Sequence, residues 1–189
     1  MLQWTTEVEK TVGRMVQIIL TDPDLLSLHQ RFGGELFRRS SVFHELKRFL
    51  EENEVRGGTC LEVGTWNAVT ASILSRFFER VHTVDIVSNP QARMVLDYLG
   101  IENVELHVVK DNREKADLVR SLTFDFAYLD GDHAHDTDSD FDLVKHCGRV
   151  LFQECLPMQP PVWRLVRKLP AKEVTFGGIG LALWERSRK

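Results

Sequence analysis

The residues of this chain that could do chemistry stand at the ends of short apolar runs. Glu62 and Gly64 close the first run, and Asp85 closes the second, about 23 residues beyond Glu62. An acidic side chain at that spacing can accept hydrogen bonds from both hydroxyls of a ribose, as it does in dinucleotide-binding folds. Asp130 ends a later run and is followed by further polar groups. These positions predict a ligand site built from strand ends.

The elements that must position these groups alternate along the chain. Apolar runs predict strands at 59–63, 81–85, 104–109, 124–129 and 149–153, and helical patterns lie between them. Such alternation predicts a parallel sheet with helices on both faces. Two further runs, 173–176 and 179–184, are separated only by Gly177-Gly178, which is a hairpin signal. An antiparallel pair should therefore close the sheet.

The composition restricts the classes of protein to which the chain can belong. With 24 Lys and Arg against 28 Asp and Glu the net charge is −4, which argues against nucleic-acid binding through an overall positive field. No apolar stretch reaches the roughly 18 residues of a membrane span. Three cysteines without zinc or disulfide spacing indicate a reducing compartment. We expect a single domain over 1–189, soluble and cytoplasmic, of undetermined oligomeric state.

The first strand end carries a motif that identifies a family. Only one glycine stands where a dinucleotide fold has G-x-G-x-x-G, which disfavours NAD. Glu62-x-Gly64-x-x-x-Ala68 instead resembles the (D/E)-x-G-x-x-x-G motif of class I S-adenosylmethionine-dependent methyltransferases, with alanine replacing the last glycine. The resemblance extends from Gly58 to Arg186. It implies S-adenosylmethionine as cofactor and a doubly wound, Rossmann-like, mostly parallel α/β sheet of seven strands that ends in an antiparallel hairpin.

The resemblance also assigns roles to parts of the chain. Residues 1–56 would form an N-terminal helical lid region over a cofactor-binding α/β core at 57–189. The residue pattern of this region predicts helices at 6–22 and about 24–52, the second with a break at Gly33-Gly34. The residues expected to bind the cofactor are Glu62, Gly64, Thr65 and Asn67 on the methionine side, Asp85 and Ile86 at the ribose, Asp111 and Asn112 at the adenine, and Asp130 beside the methyl group. From the residues alone, Asp111 and Asn112 could equally cap the helix that follows them.

The fourth strand end suggests the catalytic groups. Leu129-Asp130-Gly131-Asp132-His133 resembles the Leu-Asp-Gly-(Asp)-His segment of small-molecule O-methyltransferases and metal-assisted sugar methyltransferases. Methyl transfer to oxygen needs the hydroxyl deprotonated as the new bond forms, which a histidine or carboxylate in hydrogen-bond reach can do. His133 is the predicted base, with Asp130 as its orienting partner or as a metal ligand. Glu154 could act with His133 as a metal-free acid/base couple across the cleft.

A metal is not expected to be essential. Metal-dependent relatives such as catechol O-methyltransferase hold magnesium with an Asp after the fourth strand and an Asp-Asn pair after the fifth. Asp130 and Glu154 match two of these ligands, but the third position holds Cys155, a soft ligand that magnesium does not favour. We predict a metal-independent or weakly metal-assisted enzyme, in which Asp130 and Glu154 are the ligands if an ion binds.

The expected function is methylation of a small molecule, with oxygen the expected acceptor atom. Adenine-N6 methyltransferases of nucleic acids carry (N/D)-P-P-(Y/F/W) after the fourth strand, and this chain does not, so no nucleic acid is expected as a substrate. The departures at Ala68 and at 153–155 leave one alternative, a catalytically inactive S-adenosylmethionine-binding protein that acts as a sensor or partner subunit.

Two further groups of residues are interpreted as structural. His82 and His107 lie within predicted strands and are expected to be satisfied there. Asp138, Asp140 and Asp142 lie near the start of a predicted helix, where negative charge favours the helix dipole.

Overall fold

A computed structural model describes residues 23–32, 40–132, 135–158, 160–177 and 180–187. The helix predicted at 6–22 and the predicted base His133 lie outside the described residues.

One sheet of seven strands organises the molecule. The strands are β1 (Thr59–Val63), β2 (Arg80–Asp85), β3 (Val104–Val108), β4 (Phe126–Leu129), β5 (Arg149–Phe152), β6 (Val174–Gly177) and β7 (Leu181–Glu185). Their order across the sheet is β3-β2-β1-β4-β5-β7-β6. The first five pair in parallel, whereas β7 runs antiparallel to both β5 and β6. The predicted mostly parallel sheet with a closing antiparallel hairpin is confirmed.

Helices connect the strands, as the alternation predicts. In the described part of the chain they are α1 (Pro23–Phe32), α2 (Ser40–Glu52), α3 (Val69–Leu74), α4 (Pro90–Tyr98), α5 (Asn112–Ser121), α6 (Thr137–Val144) and α7 (Pro160–Val166). Short 3-10 turns follow at Lys145–Cys147 and Ala171–Glu173. None of the described helices is both long and apolar enough to cross a membrane.

The two faces of the sheet bury two apolar clusters, because successive strand residues point to opposite sides. On one face Cys60 and Phe126 pack with α3 and α4, and Leu28 and Leu46 of the first two helices join them with no exposed surface. On the other face Leu61 and its neighbours pack with residues of α5, α6 and α7. The helices at 23–32 and 40–52 therefore contribute to the core, and a lid role for region 1–56 stays a prediction.

Candidate functional site

A cavity opens at the point where the chain direction across the sheet reverses. The chain leaves β1 toward β2 and β3 on one side and later returns to β4 on the other, so the segments that follow β1 and β4 lead toward opposite edges of the sheet. Ligands of doubly wound sheets bind in such a crevice. The cavity has a volume of about 240 Å³ and is lined by Val63, Gly64, Trp66, Val84, Asp85, Ile86, Val87, Asn112, Lys115, Asp130, Gly131, Asp132 and Asp136.

Five of the predicted site residues line this cavity, and they are Gly64, Asp85, Ile86, Asn112 and Asp130. The other predicted residues that the structure describes do not line it. Among these, Glu62, Thr65 and Asn67 are buried, Asp111 is exposed, and Glu154 follows β5. The cavity thus brings together five of the ten predicted site residues that the structure describes.

The cavity wall is acidic. Among the described lining residues there are four carboxylates, those of Asp85, Asp130, Asp132 and Asp136, and one ammonium group, that of Lys115. Charges of one sign in a concave, partly dry site focus their field on the ligand. The wall therefore favours a cationic ligand over an anionic one.

Gly64 lets the ends of β1 and β4 approach each other closely. Its φ is +101°, and a Cβ added there would lie 2.3 Å from the carbonyl oxygen of Asp130. A backbone bond of 2.9 Å from the Asp130 N–H to the Val63 carbonyl holds this contact, and another of 2.9 Å from the Gly64 N–H to the Val84 carbonyl joins the end of β1 to β2. Only glycine fits at position 64, as the motif predicts.

The Asp85 carboxylate holds the loop between β1 and α3. Its Oδ2 accepts hydrogen bonds of 2.9 Å from the N–H groups of Thr65 and Trp66, and its Oδ1 accepts one of 2.9 Å from Val87. An ionised carboxylate offers about four acceptor sites. Three are used by the backbone, so one remains for a ligand hydroxyl, and sequence reasoning did not anticipate the loop contacts.

A buried polar cluster lies at the end of β1. Thr83 donates its hydroxyl proton to Glu62 Oε2 at 2.5 Å, and the Thr65 hydroxyl lies 2.7 Å from that of Thr83. Glu62 Oε1 and Asn67 Nδ2 are buried without a hydrogen-bond partner in the described part of the chain. Unsatisfied buried groups are costly, so a ligand that supplies both a donor and an acceptor would stabilise this cluster.

Glu62 sits in an environment that opposes its ionisation. Burial raises the pKa of Glu62 well above its ordinary value of 4.5, the nearby charges of Asp130 and Asp85 add to this, and the bond from Thr83 opposes it. The folded protein therefore binds a proton here more tightly than the unfolded chain does. Folding stability from this group is present at acidic pH and is lost as the pH rises above 4.5.

Glu62→Gln tests the direction of this pH dependence of folding stability, because glutamine mimics the protonated carboxyl and can still form a hydrogen bond with Thr83. We expect the free energy of unfolding of this variant to exceed that of the wild type at alkaline pH, with the difference shrinking as the pH falls toward 4.5. Denaturant titrations over a pH series measure it. The exposed Glu102→Gln should show no such trend, and a difference that does not change with pH would contradict the burial effect.

Ala68 stands where the resembled motif has its last glycine, and its backbone has the left-handed conformation that favours glycine. Ala68 has a φ of +60° and precedes α3 without a side-chain capping bond, and Trp66 in the same loop has a φ of +42°. Left-handed backbone costs a residue with a Cβ about 1–2 kcal/mol. The loop thus keeps the shape that a glycine would favour, at the cost of strain.

Asp111 and Asn112 have structural roles at the start of α5. Asp111 is the N-cap, and its Oδ1 accepts a 2.9 Å bond from the Glu114 N–H. Asn112 Nδ2 donates to Asp136 Oδ2 at 3.0 Å. The capping alternative is confirmed for Asp111, and the adenine contact of both residues stays a prediction.

Sequence reasoning missed Lys115, a cationic residue of the cavity wall. Its side chain is 8% exposed and its Nζ lies 2.6 Å from Asp140 and 3.8 Å from Asp136. Burial raises the pKa of Asp140, and the hydrogen bond from Lys115 opposes this. Asp140 thus does more than favour a helix dipole. The sequence signal that could have found it is the spacing of Lys115 and Val119, which lie one helical turn apart and therefore on the same, buried face of α5.

The segment after β5 contains Glu154, one of the two residues predicted to be ligands if an ion binds. Glu154 has a φ of +54°, and the next residue donates its N–H to the Gly180 carbonyl at 2.7 Å. Burial raises the pKa of the Cys155 thiol to about 11. Among the described residues, neither Asp130 nor Glu154 belongs to a group of three potential metal ligands.

Solved structures share this fold. Cofactor-bound Rv0187 from MTB matches with 19% identity and a TM-score of 0.65, over 94% of this chain and 97% of its own. A proposed caffeoyl-CoA O-methyltransferase from Staphylococcus aureus matches with 18% identity and a TM-score of 0.58, over 86% and 97%. A rRNA methylase from Streptococcus thermophilus matches with 18% identity and a TM-score of 0.58, over 76% and 96%.

No model of a protein family matches the chain, and no curated protein does. The structural likenesses establish a fold that methyltransferases use. Because one of these proteins is a rRNA methylase, the exclusion of nucleic-acid substrates stays a prediction.

Proposed function

We propose that this protein is an S-adenosylmethionine-dependent methyltransferase that acts on a hydroxyl oxygen of a small molecule. The acidic cavity at the carboxyl ends of β1, β2 and β4 carries the proposal. The fold, which an O-methyltransferase candidate shares, supports it.

The residues of the chain suit the cofactor. When bound, S-adenosylmethionine supplies an electrophilic methyl group on a sulfonium centre. The carboxylates of Asp85 and Asp130 favour a cation, and the remaining acceptor site of Asp85 suits a ribose hydroxyl. Glu62 and Asn67 do not line the cavity, so their contact with the amino acid end requires a side-chain movement that exposes the unpartnered Glu62 Oε1 and Asn67 Nδ2. Trp66 and Ile86, each 49% exposed, offer apolar surface to the nucleoside.

In this proposal, the residues after β4 and β5 serve the acceptor. His133 takes the proton of the acceptor hydroxyl, Asp130 orients that histidine, and Glu154 completes the acid/base couple. Displacement at a methyl group rewards alignment, so positioning the acceptor in line with the departing sulfur supplies much of the rate.

Binding and turnover test the proposal separately. Calorimetry with S-adenosylmethionine and S-adenosylhomocysteine should show one binding site. If neither ligand binds, the cofactor assignment is wrong. Release of S-adenosylhomocysteine is then followed across phenols, aliphatic hydroxyls, amines and an rRNA fragment. Turnover of a hydroxyl compound supports the proposal, and turnover only of amines or RNA contradicts it. Tight binding without any turnover would favour the inactive sensor or partner subunit.

We expect activity to persist after exhaustive chelation. Asp130 and Glu154 supply only two hard oxygen ligands, and the third position holds the soft Cys155. Addition of magnesium or manganese should change the initial rate by about twofold or less, since ordinary acid/base groups can deprotonate the acceptor. A strict, saturable requirement for either ion would contradict this prediction and make Asp130 a ligand.

A further inference from the structure

Three side chains of metal-ligating types meet on one face of the two outermost parallel strands, away from the cavity. His82 lies on β2, Glu105 pairs directly opposite it on β3, and His107 lies two residues further along β3. Residues two apart on a strand point to the same face, as do directly paired residues on neighbouring strands. The parallel register therefore groups residues 23 and 25 positions apart in the chain, and none of the three lines the cavity.

The separations of the three ligand groups match a metal polyhedron. His82 Nδ1 lies 3.1 Å from His107 Nε2 and 3.4 Å from Glu105 Oε2, and His107 Nε2 lies 3.7 Å from Glu105 Oε1. Tetrahedral zinc with bonds of about 2.0–2.1 Å holds its ligand atoms about 3.3 Å apart. The observed distances bracket that value, so an ion fits with small side-chain rotations.

We propose that His82, Glu105 and His107 bind one divalent transition-metal ion of the zinc type, with water completing the coordination. Two imidazoles and one carboxylate are ligands that such ions favour over magnesium. The side chains of His82 and His107 are 8% and 16% exposed, so packing holds the rings in place. The Glu105 side chain is 59% exposed and leaves solvent access on the open side.

The competing arrangement is a hydrogen bond between the two rings, in which one nitrogen carries the proton. Burial lowers the pKa of His82, while Glu105 opposes this. The neutral imidazole is the form that ligates a metal. The ring hydrogen bond needs no ion, so direct metal titration separates the two arrangements.

The ion would join the edge strand β3 to β2. Both strands end at predicted cofactor-binding residues, with Asp85 closing β2 and Asp111 following β3. Because a bound ion favours the folded state over the unfolded chain, its binding should raise the melting temperature. This role does not depend on the proposed methyl transfer.

The experiment titrates tag-free, chelator-treated protein with Zn²⁺ in a calorimeter. We expect one ion per chain at this site, and at least tenfold weaker binding in both Glu105→Gln and His107→Gln. The exposed Glu102→Gln and His146→Gln are matched controls and should keep the wild-type affinity. Cobalt(II) should give the absorption of a tetrahedral site in the wild type and lose it in His107→Gln.

Two results would overturn the site. One is the absence of zinc binding by the wild type, and the other is wild-type affinity in either Glu105→Gln or His107→Gln. Glu105 is exposed, so its glutamine variant should fold normally, and circular dichroism of each variant verifies that lost binding is not lost structure.

Discussion

Replacing Gly64 with alanine should lower the free energy of unfolding by several kcal/mol, a range typical of severe backbone or core substitutions. The new methyl group would lie 2.3 Å from the carbonyl oxygen and 2.6 Å from the carbonyl carbon of Asp130. Those are backbone atoms of a segment fixed by the bond from the Asp130 N–H to Val63. Relief therefore requires the ends of β1 and β4 to separate, which should also abolish measurable cofactor binding.

Gly57→Ala is the matched control. Gly57 has a φ of +81°, and a Cβ there would meet nothing within 4 Å. Gly57→Ala should lower the free energy of unfolding only by the strain of left-handed backbone, about 1–2 kcal/mol. Urea denaturation of both variants isolates the steric contribution as the difference between them. Equal losses of stability in the two variants would show that the contact with Asp130 is unimportant.

The sheet could be predicted from the sequence because its signals are local. Apolar runs bounded by turn residues give the strands, and Gly177-Gly178 marks the closing hairpin. Parallel strand ends meet at one edge, so residues that end different strands, such as Gly64, Asp85 and Asp130, could be assigned to one site without knowing any contact.

Contacts between distant segments could not be predicted in this way. Lys115 pairs with Asp140, 25 residues away, because α5 and α6 pack side by side. Helical periodicity identifies the face of each helix but does not select its partner. The sequence likewise places His82 and His107 in separate strands without relating them, since the register that joins them depends on how α4 connects β2 to β3.

The conformation of the loops could not be predicted from the sequence either. The positive φ values at Trp66, Ala68 and Glu154 are uncommon for these residue types and arise where tertiary contacts hold the backbone. The motif at 62–68 was recognisable only through the family's glycine preference. The turn of the Thr65 and Trp66 N–H groups toward Asp85 follows from that backbone shape, so it became visible only in the structure.

Replacing Asp85 with alanine should weaken S-adenosylmethionine binding by about 10- to 150-fold, which corresponds to about 1.5–3 kcal/mol for a hydrogen bond to a charged group. The carboxylate supplies the predicted ribose contact, and it also holds the Thr65 and Trp66 N–H groups at the cavity wall. Calorimetry gives the affinity. The exposed Asp97→Ala on α4 removes a carboxylate elsewhere and should leave the affinity unchanged.

The two contributions of Asp85 can be separated with ligands that differ only in the ribose. If the carboxylate accepts a hydrogen bond from a ribose hydroxyl, adenosine should bind the wild type more tightly than 2′,3′-dideoxyadenosine does, and Asp85→Ala should remove most of that preference. If the carboxylate acts only by holding the loop, the variant should lose the same affinity for both ligands. An unchanged affinity for S-adenosylmethionine in a folded Asp85→Ala protein would contradict both roles, because the three backbone bonds and the ligand contact depend on the same two oxygens.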